Sequence, residues 1–371
     1  MKNIDRRNWL RAAGMSGGFL LLGGLESMAK NVYTRPIPAN GPVLLNANEN
    51  PYSPSSAIRQ TLADNFEQVC RYPFRVLPDL VARIAEKEGV SKDHVVVTGG
   101  SSEGLTAAGL IYGMNGGEII AADPTFQRLL QYAAYFGAKV HRVPVNDKLE
   151  HDLDAMSARI GRATRLIFIC NPNNPTGTLI DRERLRDFCM SHDNEAVIFS
   201  DEAYYDFITE PDYPSMVELV QKGRNIIVSK TFSKVYGLAG LRIGYLVARP
   251  DIAKRLKEGV MAMTNVLAIA AAMRALEDEE FYKYSIARNA EAKAAIYPIL
   301  DELGLRYIPS HTNFVFFETG RPVEQMIAAM RQENILIGRP FPPMHHWARV
   351  STGTMEEMEL FSGALKKVMA K

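Results

Sequence analysis

The sequence predicts an α/β protein built on a mostly parallel sheet, and three observations carry that expectation. Short apolar runs at Val95–Thr98, Glu118–Ala121, Lys139–Val143, Leu166–Ile169, Ala196–Phe199, Asn225–Val228 and Ile243–Val247 alternate with segments of helical periodicity. Several runs lack the in-out alternation of a one-faced sheet, as strands covered on both sides should. Polar and glycine-rich residues follow directly after the runs, where ligand groups collect in such sheets.

With 371 residues and 47% hydrophobic content, the chain can bury a large core and is expected to form two domains. Its 43 basic and 42 acidic residues nearly cancel, which leaves no electrostatic footprint for nucleic acid. Cys70, Cys170 and Cys189 are odd in number and match no zinc or disulfide spacing, so they are read as reduced and mostly buried.

Residues 1–29 have the layout of a secretory signal. A charged start (Asp5 to Arg11) precedes a glycine-rich apolar run, Ala12 to Leu25, and small residues stand at Ser27 and Ala29 before a cut near Lys30. The Arg6-Arg7 pair resembles the bacterial twin-arginine export signal, with Trp9 and Arg11 where that pattern usually has Phe and Lys. The resemblance implies export of a folded, cofactor-loaded protein by the twin-arginine machinery to the periplasm. The run itself is too short and too rich in glycine for a good membrane span.

Residues 30–60 read as an N-terminal arm, 61–250 as a large domain, and 251–371 as an interdomain helix followed by a smaller α+β domain. Within the arm, proline and asparagine in Leu44-Leu-Asn-Ala-Asn-Glu-Asn-Pro-Tyr-Ser-Pro54 argue against regular structure. The loop either wraps the surface, which its composition favours, or lines a site. Arg71-Tyr-Pro-Phe then introduces a helix over Pro78–Glu88, where Leu80, Val81, Ile84 and Ala85 recur at helical spacing. Further on, helical stretches are expected over Ile252–Leu276, Glu280–Leu303 and Val323–Met330, with a strand at Asn313–Phe317 and another around Arg349.

The strand ends carry the chemistry. After Val95–Thr98, the amides and hydroxyls of Ser101 and Ser102 either form an anion cup at a helix start or include a simple N-cap. Phe126 either stacks on a planar ring or belongs to the core. Asn171-Pro-Asn-Asn-Pro-Thr-Gly177 is an irregular loop that directs amides such as Asn174 outward. Asp201 ends an apolar run, where a buried carboxylate without a partner is costly.

The stretch Ser229 to Arg242 is the most informative. Thr231, Ser233 and Arg242 can hold a phosphate while the amine of Lys234 bonds covalently to the group that the phosphate carries. That description fits pyridoxal 5′-phosphate. Its chemistry then asks for a carboxylate such as Asp201 to keep the ring nitrogen protonated, and for Asn174 and Tyr204 to hydrogen-bond the ring hydroxyl. Lys234 serves first as tether and then as base.

In their order along the chain, LNANENP, RYPFRVLPDL, TGGSSEGL, ADPTF, NPNNPTG, SDEAY, TFSKVYGLAGLR and ARVSTGT resemble the fold type I, class I/II aminotransferases. The similarity runs from about residue 43 to the C-terminus and leans to the histidinol-phosphate aminotransferase branch. It implies a Schiff-base role for Lys234 rather than for Lys230, which becomes a structural or surface residue. By the same resemblance, Ser101, Ser102, Thr231, Ser233 and Arg242 hold the phosphate, Phe126 stacks on the ring, Asp201 meets its nitrogen, and Asn174 and Tyr204 meet its hydroxyl. Tyr72 reaches the phosphate of the neighbouring subunit and so implies a homodimer. Arg349 clamps the anionic group of the substrate and Arg339 adds a second basic contact.

The implied reaction passes an amino group from a small-molecule donor to a 2-oxo acid. The segment Gly338 to Trp347 looks shorter and richer in proline than is usual in the histidine-pathway enzymes, and an export signal is unusual for biosynthesis; both favour a broader amino-acid transaminase. A decarboxylase, lyase or racemase on the same fold is the nearest rival, and a non-catalytic exported binding module the more distant one. Retention of Lys234, Asp201 and Arg242 together argues against the module. His345 and His346 have no evident third partner for a metal and are read as pocket or solvent residues.

Overall fold

The computed structural model describes residues 41–52 and 54–370. The export-signal reading of residues 1–29 falls outside these, as does the arm up to residue 40. Among the described residues, no helix is long and apolar enough to cross a membrane.

After a short strand β1 (Val43–Leu45), seven strands build the central sheet. They are β2 (Val95–Thr98), β3 (Glu118–Asp123), β4 (Lys139–Pro144), β5 (Thr164–Cys170), β6 (Val197–Asp201), β7 (Ile226–Thr231) and β8 (Gly244–Ala248). Their spatial order is β2-β8-β7-β6-β5-β3-β4, and β8 alone runs against the others.

The missing alternation has a direct cause. In β5, Ile167 and Ile169 enter one hydrophobic core while Leu166 and Phe168 enter another on the opposite face. Both faces of the sheet are therefore dry, and every residue of the run is apolar. Several strands also extend beyond the apolar runs. Asp201 stays in register with Cys170 and Ser229, and Thr231 with Gly244, because backbone pairing continues where hydropathy stops. That continuation fixes the polar residues at the strand ends.

A second core lies towards the C-terminus. Strands β9 (Tyr307–Ile308), β10 (Phe314–Glu318) and β12 (Trp347–Ser351) form an antiparallel sheet, and β11 (Ile335–Ile337) pairs in parallel with β1. Leu44 and Leu45 therefore do form a strand, against the irregular structure expected of that stretch. Three apolar residues preceding the asparagines suffice to pair with Ile335–Ile337, and Val43 and Leu45 are buried there.

The helical stretch expected over Ile252–Leu276 is two helices, Pro250–Gly259 and Val266–Ala275. Asn265 caps the second, its side chain accepting from the Ala268 amide at 2.8 Å, which stops the backbone from running on as one helix. Ile252, Ala253 and Leu256 of the first, and Ala268, Ile269 and Ala272 of the second, pack into the cores of the central sheet. The helix Glu279–Glu302 then carries the chain to the second core, where Ala292, Ile296 and Leu300 are buried.

Candidate active site

A cleft of about 410 Å³ opens at the C-terminal ends of the parallel strands, closed from above by the loop after β1 and by Arg339, Phe341 and Arg349. Ser101, Ser102, Phe126, Asn174, Asp201, Tyr204, Ser233, Lys234 and Arg242 all line it. Two of the residues singled out by sequence stand apart. Thr231 lies one step behind, its hydroxyl donating to Ser233 Oγ at 3.0 Å. Tyr72 is 79% exposed in a separate groove and does not reach this cleft.

The helix Ser101–Gly113 is capped by Gly100 at φ 80°, so neither serine is the N-cap. Ser101 and Ser102 are its first two residues, with amides that no helical carbonyl can use. Glycine is required at the turn. A Cβ on Gly100 would come within 2.5 Å of Arg242 Nη2, and one on Gly244 within 2.7 Å of the Ser101 nitrogen. Arg242 itself holds the left-handed conformation at φ 57°, a strain of about 1 kcal/mol that turns its guanidinium into the cradle.

Lys234 Nζ donates to the Asn48 carbonyl oxygen at 2.7 Å. Burial pushes its pKa down to about 8; the charges of Arg349 and Arg242 add to this, while Glu49 and Asp201 oppose it. A substantial neutral fraction near physiological pH is what a nucleophilic amine needs.

Asp201 is buried at the end of β6, and its Oδ1 has no hydrogen-bond partner. Burial raises the carboxyl to about 7. An orphaned acceptor in this position suits an N–H group brought in by a ligand.

On the opposite wall, Arg349 Nη1 donates to Asn174 Oδ1 at 2.7 Å and Nη2 to the Asn46 carbonyl oxygen at 3.1 Å. Its guanidinium carbon lies 4.7 Å from the ring centre of Phe341 and 5.3 Å from that of Phe314, and its Nε has no partner. Burial lowers its pKa to about 10, with Tyr204 opposing and Arg339 adding to the shift. Arg339, exposed at the mouth, stacks on Phe341 at 4.5 Å. Asn174 and Asn48 both donate to the Tyr204 hydroxyl, at 3.3 and 2.9 Å.

Asn48 itself is not singled out by the sequence, and its loop is left there between wrapping the surface and lining a site. The surface placement favoured by composition is overturned: Asn48 is buried at φ 52°, bonds Ser351 through its amide and side chain, and accepts from Asn313 at 3.0 Å. Asn50 donates to the carbonyls of Lys234 and Val235. Asparagine tolerates the left-handed region, and this was the signal available beforehand.

Lys230 is half-buried and does not line the cleft; its amine pairs with Glu88 at 2.9 Å and Glu202 at 3.8 Å, which makes it structural. Cys170 and Cys189 are buried and Cys70 exposed, all three free. His345 and His346 are exposed, and the described residues hold no cluster that fits a metal ion.

The donor set fits pyridoxal 5′-phosphate on three observations: the unpartnered buried oxygen of Asp201, the lowered amine of Lys234, and a cradle at Gly100 and Arg242 that a single Cβ would fill. The apoenzyme should therefore take up the cofactor covalently at a rate that rises with pH and levels off above about 8, as the neutral amine accumulates. Stopped-flow absorbance after mixing with pyridoxal 5′-phosphate measures it, and a rate flat from pH 6 to pH 9 would contradict the assignment.

The sheet and this cleft define a fold type I pyridoxal-phosphate enzyme. The aminotransferase class I and II family matches residues 40–365, and the chain belongs to that family. It is 36% identical over 334 residues to the histidinol-phosphate aminotransferase of Moorella thermoacetica, covering 88% of this chain and 86% of that one. Histidinol-phosphate aminotransferase 1 of Bacillus cereus is 32% identical over 330 residues, with 88% and 89% covered. Among solved structures, the histidinol-phosphate aminotransferase of Sinorhizobium meliloti in complex with pyridoxal 5′-phosphate superimposes with a TM-score of 0.82 at 24% identity, covering 95% of this chain and 99% of that one. The protein is a pyridoxal-phosphate-dependent aminotransferase.

Proposed function

We propose that this transaminase exchanges amino groups between an L-amino acid, or an amine resembling histidinol phosphate, and a 2-oxo acid. The observation that carries the reading is the pairing of a nucleophilic amine, Lys234, with a buried guanidinium, Arg349, across one cleft. When bound, pyridoxal 5′-phosphate supplies the aldehyde that takes up the amino group and the ring that draws electrons from the substrate α-carbon.

The chain's own residues do the rest. Ser101, Ser102, Ser233 and Arg242 would hold the phosphate, with Thr231 orienting Ser233, and Phe126 would pack against the ring. Asp201 accepts the ring N–H and keeps that proton in place. Asn174 and Tyr204 hold the ring hydroxyl. Lys234 would hold the cofactor through its amine, and the same amine, once free, stands in the cleft as the group that could carry a substrate proton. Arg349 presents a planar fork to a carboxylate or a phosphate, pre-set by Asn174 and the Asn46 carbonyl, and Arg339 adds charge at the mouth.

Tyr72 sits among exposed apolar residues, Phe66, Val69 and Phe74, and its distance from its own cleft is consistent with serving that of a second copy.

To find the donor, the loaded enzyme is mixed with a pool of L-amino acids and, separately, with histidinol phosphate, and the visible spectrum is followed. Conversion is expected with one or more amino acids, and Arg349→Gln should raise the KM of each about tenfold or more. Conversion by histidinol phosphate alone would narrow the enzyme to that substrate. Release of carbon dioxide or of the opposite enantiomer, with no 2-oxo acid formed, would replace transamination by one of its rivals on the fold.

The export signal is a separate part of the proposal. The enzyme works in the periplasm, carried there by the twin-arginine machinery that reads Arg6 and Arg7. Replacing both with lysine should hold the protein in the cytoplasm, as fractionation would show. Unchanged periplasmic recovery would refute the route.

A further inference from the structure

Glu103 is the third residue of the helix that begins at Ser101, and its carboxylate is divided between two parts of the chain. Oε2 accepts the Gly99 amide at 2.6 Å, while Oε1 accepts the amides of Met261 at 3.2 Å and Ala262 at 3.4 Å. A carboxylate in the first helical turn stabilises the helix, yet it repels any anion brought to the free amides of the same turn. Three backbone N–H groups offset much of that charge, and two of them come from residues 261 and 262.

The same connection grips the other side of the cradle. Asn265 Nδ2 donates to the Leu241 carbonyl oxygen at 3.2 Å, next to Arg242. Residues 260–265 thus hold both Gly99–Ser102 and Leu241–Arg242. Their outer side is open: Met261 is 73% and Met263 50% exposed, and Met263 lines the groove that holds Tyr72 and Phe74.

We infer that Glu103 is a positioning residue that couples the seating of residues 260–265 to the strength with which the cleft holds a phosphate monoester. This rests on the pyridoxal-phosphate reading of the cleft and on a second copy covering the open groove. With the connection seated, the charge of Glu103 is absorbed. When it shifts, the charge turns back onto the anion cup and the phosphate is held less tightly, so association of two copies reinforces cofactor binding.

A double-mutant cycle on the full-length apoenzyme tests this, using Glu103→Gln and Met261→Pro with titrations of pyridoxal 5′-phosphate and of phosphate-free pyridoxal. Val260 is extended at φ −76° and ψ 122°, a conformation that accepts a following proline, and the proline deletes the shorter of the two donors. Met261→Pro should weaken pyridoxal 5′-phosphate about tenfold and leave pyridoxal within about twofold, while in the Glu103→Gln background it should change neither by more than about twofold. Equal weakening in both backgrounds, parallel loss of both ligands, or no effect at all would overturn the coupling.

If the proline variant does not fold, dilution through dimer dissociation decides. Cofactor affinity should fall on dilution in both proteins, through loss of the partner copy, but several-fold less in Glu103→Gln; the same fall in both would overturn the inference. A wild type that binds pyridoxal 5′-phosphate at no concentration would instead remove the cofactor reading beneath it.

Discussion

Lys234→Ala should lower kcat/KM by more than about a thousandfold and replace the visible band of the lysine-linked cofactor by that of the free aldehyde, while leaving the protein folded. The loss follows from the dual use of one amine. Without it the cofactor has no covalent tether, and no base of suitable pKa stands beside the substrate α-carbon. Folding should survive because the Asn48 carbonyl that accepts from Lys234 also accepts from Asn313 at 3.0 Å, so no buried acceptor is left unpaired. Lys234→Arg should not rescue activity, since a guanidinium remains protonated and cannot act as the nucleophile. Absorbance spectra and steady-state rates of the variants, with melting curves beside them, measure all of this. A Lys234→Ala enzyme that turns over within about tenfold of the wild type would require another residue to carry the chemistry.

Asp201→Asn should move activity and apoenzyme stability in opposite directions. Activity should fall about a hundredfold or more, because a neutral amide no longer holds a proton on the ring nitrogen while the reaction builds negative charge. Stability of the apoenzyme should rise, because a buried carboxylate with one unpartnered oxygen is replaced by a neutral amide.

The pH dependence gives the sign. The carboxyl is raised from the ordinary 3.8 to about 7 in the folded chain, so between these values the folded state binds the proton that the unfolded state has lost. Stability therefore falls as pH rises through that window, by up to on the order of 4 kcal/mol for this group. The asparagine variant should flatten that slope, and pyridoxal 5′-phosphate should flatten it in the wild type by giving the carboxylate its partner. Urea unfolding from pH 4 to pH 8, with and without cofactor, reads both effects. An identical slope in the wild type and Asp201→Asn apoenzymes would show that Asp201 titrates elsewhere.

Much of the site was legible because its parts are local. Gly100, Ser101 and Ser102 are consecutive, and a strand followed by a glycine turn and a helix start can be read without knowing what lies across the cleft. Lys234 and Arg242 likewise belong to one loop, and Asp201 was exposed as unusual by the apolar run that ends on it. The arm was misjudged for the opposite reason. Asn48 meets Ser351 at a separation of 303 positions, and Asn46 meets Arg349, so nothing within several residues of either asparagine distinguishes a site wall from a surface turn.

The break at residues 260–265 has this origin only in part. Gly259 and the Asn265 cap are local signals for a break, but what seats the residues between them includes the Glu103 carboxylate, far away in sequence. By itself, then, the sequence determined the strands, the phosphate-binding turn, and the lysine and aspartate at the strand ends, because short-range patterning sets which backbone segments pair and which side chains stand at their ends. Only the tertiary structure decided which loop closes the cleft, how Arg349 is oriented, and where Glu103 places its charge, because those depend on hydrogen bonds between distant segments that form once both cores have packed.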